Sequence, residues 1–169
     1  MDDKELLEHI EREQEQSELV RFVNESNRIE GIHRPASKEE IQAHKLLLQC
    51  EKITLLKLML FVSVIQPDAK LREHEGMNVR VGNYFPPQGG PHIVERLEEF
   101  LDLINDFDNQ KTYKSIAQAH IAYEKIHPFM DGNGRSGRAI WLWLMKGRAP
   151  LGFLHTFYYQ VLSDSNDMP

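Results

Sequence analysis

"HPFMDGNGRSGR", His127 to Arg138, decides how the rest of the chain is read. Gly132 and Gly134 flank Asn133, and all three tolerate the positive φ of a tight turn. Such a turn can aim successive backbone N–H groups at an anion. It runs into a helix whose first N–H groups have no intrahelical partner and carry partial positive charge. Arg135 and Arg138 stand at i and i+3 on one face of that helix. Cations at a helix N-terminus are unfavourable by up to ~1 kcal/mol each. A polyphosphate held in the turn would reverse that sign. Asp131 adds a hard oxygen ligand of the kind Mg²⁺ takes together with phosphate oxygens. His127, before Pro128, could accept a proton from an incoming hydroxyl. The Gly-Lys-Ser/Thr of a Walker loop is absent. Singly, each residue has an ordinary reading: a helix-end histidine, an aspartate in a turn, an Arg135–Asp131 pair, a Gly137 that lets helices pack. Together they describe a site for attack on a nucleotide phosphate.

Outward from this loop the chain reads as helices. Ile116, His120, Tyr123 and His127 share one stripe of the preceding "KSIAQAHIAYEKIH". "RAIWLWLMKG" is apolar all round, as suits a central helix closed by Gly147, with Trp141 and Trp143 in the core. A helix from His92 carries Val94, Leu97, Leu101 and Ile104, and "NDFDNQ" is a loop. Ser37 to Glu40 form a capping box opening a helix to about Glu51. The run from Ile53 to near Pro67 is a buried helix, too short and too interrupted by Lys57 for the ~20 apolar residues that span a bilayer. Leu6 to about Val23 is a charged helix, followed by "ESNRIEG" with Gly31 as its stop. Between Gly76 and Gly82 the alternation Asn78-Val79-Arg80-Val81 predicts a small hairpin. The final "PLGFLHTFYYQVLSDSNDMP" predicts one more helix and a frayed end. The fold class is all-α with one small β element.

Composition narrows the classes. The chain has 169 residues, enough for one domain with a real core, and a net charge of -6, which argues against a general nucleic-acid binder. Cys50 is the lone cysteine, excluding an internal disulfide or a thiolate metal cluster, and is expected to be a small buried residue. The N-terminus reads as no signal peptide, so a cytoplasmic location is expected. No membrane partner is expected.

At these residues the chain resembles the Fic (Fido) family, whose signature is His-Pro-Phe-x-Asp/Glu-Gly-Asn-Gly-Arg-x-x-Arg. His127, Pro128, Phe129, Asp131, Gly132, Asn133, Gly134, Arg135 and Arg138 match every specified position. The resemblance implies a Fic-type helical bundle over residues 1–169, with residues 1–31 as an N-terminal segment. It implies a protein adenylyltransferase that moves AMP from ATP to a Ser, Thr or Tyr hydroxyl of a target protein and releases pyrophosphate. His127 would be the base, Asp131 would hold Mg²⁺, Gly132, Asn133 and Gly134 would form the anion hole, and Arg135 and Arg138 would bind the β- and γ-phosphates. Phe129 would anchor the loop in the core. Met77, Asn78, Val79, Arg80 and Val81 would be a flap that docks the target as an added strand. The Gly-x-x-Arg that often opens that flap is replaced by "REHEGMN". Another donor, phosphoryl transfer, or a non-catalytic nucleotide-binding regulator stay open, as do self-modification and a homo-oligomer.

"SNRIEG", Ser26 to Gly31, matches the family's inhibitory motif Ser/Thr-x-x-x-Glu-Gly/Asn. The resemblance implies that Glu30 pairs with Arg138 and occupies the γ-phosphate position.

Overall fold

A computed structural model describes residues 2–106 and 113–146. These form six α-helices: α1 Asp3–Ile29, α2 Lys38–Leu48, α3 Leu55–Ile65, α4 Pro91–Asn105, α5 Tyr113–Ile126 and α6 Asn133–Leu144. Among the described residues there is no strand, only isolated bridges pairing Leu71 with Phe129 and Val81 with Tyr84. No helix among them is long and apolar enough to cross a membrane. The expected closure at Gly147 and the C-terminal helix lie outside the described residues, as does most of the predicted "NDFDNQ" loop.

The helix starts follow capping chemistry. Ser37 Oγ accepts from Glu40 N, and the Glu40 carboxylate returns to Ser37 N at 2.7 Å. Asp2 and Glu5 form the same box at the start of α1. Thr54 caps α3. Each such cap stabilises its helix by about 1 kcal/mol.

α6 is the axis of the bundle, packing against α1, α2, α3 and α5. Its Ala139, Ile140, Trp141, Leu142 and Leu144 are buried with Val23, Leu58, Val62, Leu97, Tyr123 and Phe129. Burial of each large apolar side chain contributes roughly 1.5–3 kcal/mol. α5 reaches α6 closely because Gly137 has no side chain; a Cβ there would meet Glu124 Oε1 at 2.8 Å.

Five expectations about the frame change. The apolar run after Ile53 is buried on one side only: α3 buries Leu58, Phe61, Val62 and Ile65 but leaves Leu56, Met59, Leu60 and Val64 exposed. α1 does not end near Val23 but continues to Ile29, because Ser26 and Asn27 find polar partners that let them be buried. The hairpin over residues 78–81 does not form: Gly76 and Gly82 turn at φ 85 and φ 58, and only Val81 and Tyr84 exchange backbone bonds. Cys50 is half-buried, with Sγ on the Leu46 carbonyl. Trp143 is likewise half-buried, its indole N–H donating to the Cys50 carbonyl at 2.8 Å.

Candidate active site at the N-terminus of α6

The loop between α5 and α6 is built by its own residues. Asn133 turns its side chain back on the chain: Oδ1 accepts from Phe129 N at 2.9 Å and Nδ2 donates to Phe129 O at 2.8 Å. Phe129 is buried beneath it, as expected. Gly132 takes φ 80 and offers α6 no side-chain cap. Ser136 Oγ donates within a network that includes the Gly132 and Asn133 carbonyls and Tyr123 Oη. The first turn of α6 therefore begins with uncapped N–H groups at a rigid loop, the arrangement that favours an anion.

An anion of the chain's own occupies this corner. α1 closes with a Schellman motif, Gly31 N donating to Arg28 O and Ile32 N to Asn27 O. That turn leaves Glu30 at the C-cap, facing α6. Its Oε1 lies 2.5 Å from Arg138 Nη2 and directly against Gly134, where a Cβ would collide with it. Arg138 also donates from Nε to Ser26 Oγ at 2.8 Å and from Nη2 to the Ser26 carbonyl at 3.0 Å. Arg138 is 2% exposed, so this charge-assisted contact is shielded from solvent on the arginine side.

Arg135, one helical turn earlier, is also buried but faces elsewhere. Its Nη2 donates to Gln66 Oε1 at 2.5 Å, and Nη1 lies 3.8 Å from Glu40 Oε1. Glu40 joins α1, α2 and α6: besides its cap it takes a fork from Arg34 and a bond from Asn27. Burial alone would raise its carboxyl, but Arg34, the Ser37 N–H and Arg135 pull it to about 2.

His127 sits one residue beyond α5 rather than on its stripe, at φ 49. Its side chain is largely buried, and Nδ1 is 3.9 Å from Glu124 Oε2. Burial and the charge of Arg72 hold the imidazole below its ordinary pKa, so it is neutral near pH 7. Glu124 is pushed the other way, to about 7, by burial. Asp131 is exposed, its Oδ1 accepting from Gly132 N at 2.7 Å. No group of three carboxylate, histidine or cysteine side chains suited to a metal occurs among the described residues. A cation at Asp131 would need further oxygen ligands, from water, neutral groups or a bound phosphate.

The structure thus gathers His127, Asp131, Gly132, Asn133, Gly134, Arg138, Ser26 and Glu30 at one corner. The segment Met77 to Val81 leads away from Arg72, which is bonded to the His127 carbonyl. Arg72, Glu124, Glu40 and Gln66 were not singled out from sequence as site residues. Glu124 carries one sequence signal, its place three residues before His127.

Residues 3–145 match the Fic/DOC family, and the chain belongs to that family. It is 37% identical over 59 residues to "Protein adenylyltransferase fic-1" of Caenorhabditis elegans, a match covering 33% of this chain and 11% of that protein.

Proposed function

We propose that this Fic/DOC-family chain is a protein adenylyltransferase that uses Mg-ATP and is held off by its own Glu30. The observation that carries the reading is the Glu30 carboxylate lodged between Arg138 and Gly134 at the start of α6. A buried guanidinium beside uncapped helix N–H groups is an anion site, and here a side chain stands in for the anion. The name of the nematode relative supports AMP as the transferred group.

In the reaction, the three phosphates of ATP would lie along the Gly132–Gly134 turn, with Arg138 on the γ-phosphate and Arg135 nearby. Asp131 would share Mg²⁺ with phosphate oxygens, and the metal would offset phosphate charge. Neutral His127 accepts the proton of the target Ser, Thr or Tyr hydroxyl as its oxygen attacks the α-phosphorus. The bond from that phosphorus to the bridging oxygen breaks, and pyrophosphate leaves with the electron pair. The segment Met77 to Val81 would present the target as extended backbone. With Glu30 in place, the γ-phosphate loses its arginine and ATP binds out of line. The target is another protein or a second copy of the chain, in a reducing cytoplasm.

Intact-mass analysis after incubation with Mg-ATP tests the assignment. Glu30→Gly should gain AMP, and Glu30→Gly/His127→Ala should not. A gain of phosphate instead would make the chain a phosphotransferase.

A further inference from the structure

We propose that Arg72 is a positioning residue that clamps the backbone of His127 to both ends of the Met77–Pro87 segment, so that base and target-docking flap are held as one unit. The flap's role rests on the transferase reading above; the clamp itself does not.

The Arg72 side chain is fully buried, and its guanidinium spreads over three stretches of chain. Nε donates to the His127 carbonyl at 2.7 Å and Nη2 to the Ile126 carbonyl at 3.1 Å. Nη1 donates to Pro87 O at 2.8 Å and Met77 O at 3.3 Å. The main chain of Arg72 adds its N–H to Pro128 O and takes Gly90 N–H on its carbonyl. Among the described residues no carboxylate lies within ion-pair distance of this guanidinium. A buried charge satisfied only by neutral carbonyls is an expensive way to join loops, and it invites a positional explanation.

Two features give one. Ile126 ends α5, so the fork covers helix C-terminal carbonyls, where positive charge is favoured. His127 then takes φ 49 immediately before Pro128, a left-handed conformation that a non-glycine residue seldom adopts and that a following proline further restricts. Such backbone persists when its surroundings over-determine it. Here Tyr123 O holds the His127 N–H, and Arg72 holds its carbonyl.

The same charge acts on the imidazole. Burial and Arg72 lower its pKa; the main-chain carbonyl of Glu124 in α5 and the charges of Glu30 from the end of α1 and Asp131 from the loop favour its protonated form. Lysine would keep the charge but, as a compact three-donor group, could not span carbonyls of three stretches. Geometry and charge can therefore be separated by substitution.

Residue-resolved amide exchange and an NMR titration of His127 in wild type, Arg72→Lys and Arg72→Met test the clamp. Exchange is read at Val81 and Tyr84 in the flap, and at His127, Phe129 and Met130 in the loop. Both variants should exchange at least roughly tenfold faster at both sets, the scale of one lost charge-assisted bond. The His127 midpoint should rise in Arg72→Met and stay near wild type in Arg72→Lys. Exchange that quickens at one set alone, or at neither, would overturn the proposal. If Arg72→Met does not fold, the exchange of Arg72→Lys decides by the same criterion. In a Glu30→Gly background, Arg72→Lys should lower transfer by about 10²-fold, the cost of a misplaced base. Absence of transfer in Glu30→Gly itself would count against the transferase reading and leave the exchange result standing.

Discussion

The carboxylate of Glu30 rests against the Cα of Gly134, in space that any side chain at position 134 would fill. On our reading one glycine therefore serves two occupants in turn, the inhibitory carboxylate and a phosphate. Gly134→Ala should push Glu30 away from Arg138, because a carboxylate at the end of a flexible side chain yields easily. It should not activate transfer, since the new methyl stands in the phosphate's place. Calorimetry should find ATP binding weakened by roughly tenfold. A Gly134→Ala protein as active as Glu30→Gly would refute this shared use.

Ser26 is the second hold on Arg138, through its hydroxyl and its carbonyl. Ser26→Ala removes the hydroxyl acceptor from a buried guanidinium N–H. Urea denaturation should show a loss of about 1.5–3 kcal/mol, the range for bonds to charged groups. Basal transfer should rise, but less than in Glu30→Gly, because the Glu30 contact survives. Equal activation by the two substitutions would mean that Ser26, not Glu30, is the restraint.

The depressed pKa of His127 has a kinetic consequence. On the proposed reading His127 is the base and works when neutral, so activity is lost as pH falls through its midpoint. That midpoint lies below the ordinary histidine value because of burial and Arg72. In Glu30→Gly, kcat/KM for transfer should rise with pH to a plateau already reached by about pH 7. A rate still climbing between pH 7 and 8 would show that another group limits it.

Glu124 links pH to stability. Its carboxyl is raised by burial from 4.5 to about 7, so the folded state binds a proton that the unfolded state releases. This contribution is fully present below about pH 4.5 and is lost as pH rises to about 7. Its size is on the order of 3 kcal/mol. Glu124→Gln should remove this decline, so that its stability advantage over wild type is larger at pH 8 than at pH 5. His44 and His120, lowered by burial to about 4 and about 3, act oppositely: their contribution is present above about 6.5 and lost on acidification through those values. A pH-independent difference between wild type and Glu124→Gln in thermal melts would contradict the assignment to Glu124.

Much of this was legible in the sequence where chemistry is local. The Ser37–Glu40 box, the apolar run of α6 and the Gly31 stop each depend on neighbours a few residues away. The His127–Arg138 signature is local too, and its loop folds on itself through Asn133. What the sequence hid depends on distant partners. Ser26 and Asn27 look like loop residues until Arg138 and Glu40 reach them across the bundle. Arg72 carries no motif that marks it, because its acceptors are main-chain carbonyls far along the chain. The alternation at Asn78–Val81 reads as a hairpin, but the positive-φ turns at Gly76 and Gly82 leave one bridge where a ladder was expected. Arg135 shows the same limit: its place beside Gln66 is set by how α3 packs on α6.

The central claim is that Glu30 restrains an AMP-transferring site. Its most direct test is intact mass of wild type and Glu30→Gly, each incubated with Mg-ATP under identical conditions, with Glu30→Gly/His127→Ala as control. The account predicts added AMP on Glu30→Gly well above wild type and none on the double variant. Equal AMP incorporation by wild type and Glu30→Gly would contradict it.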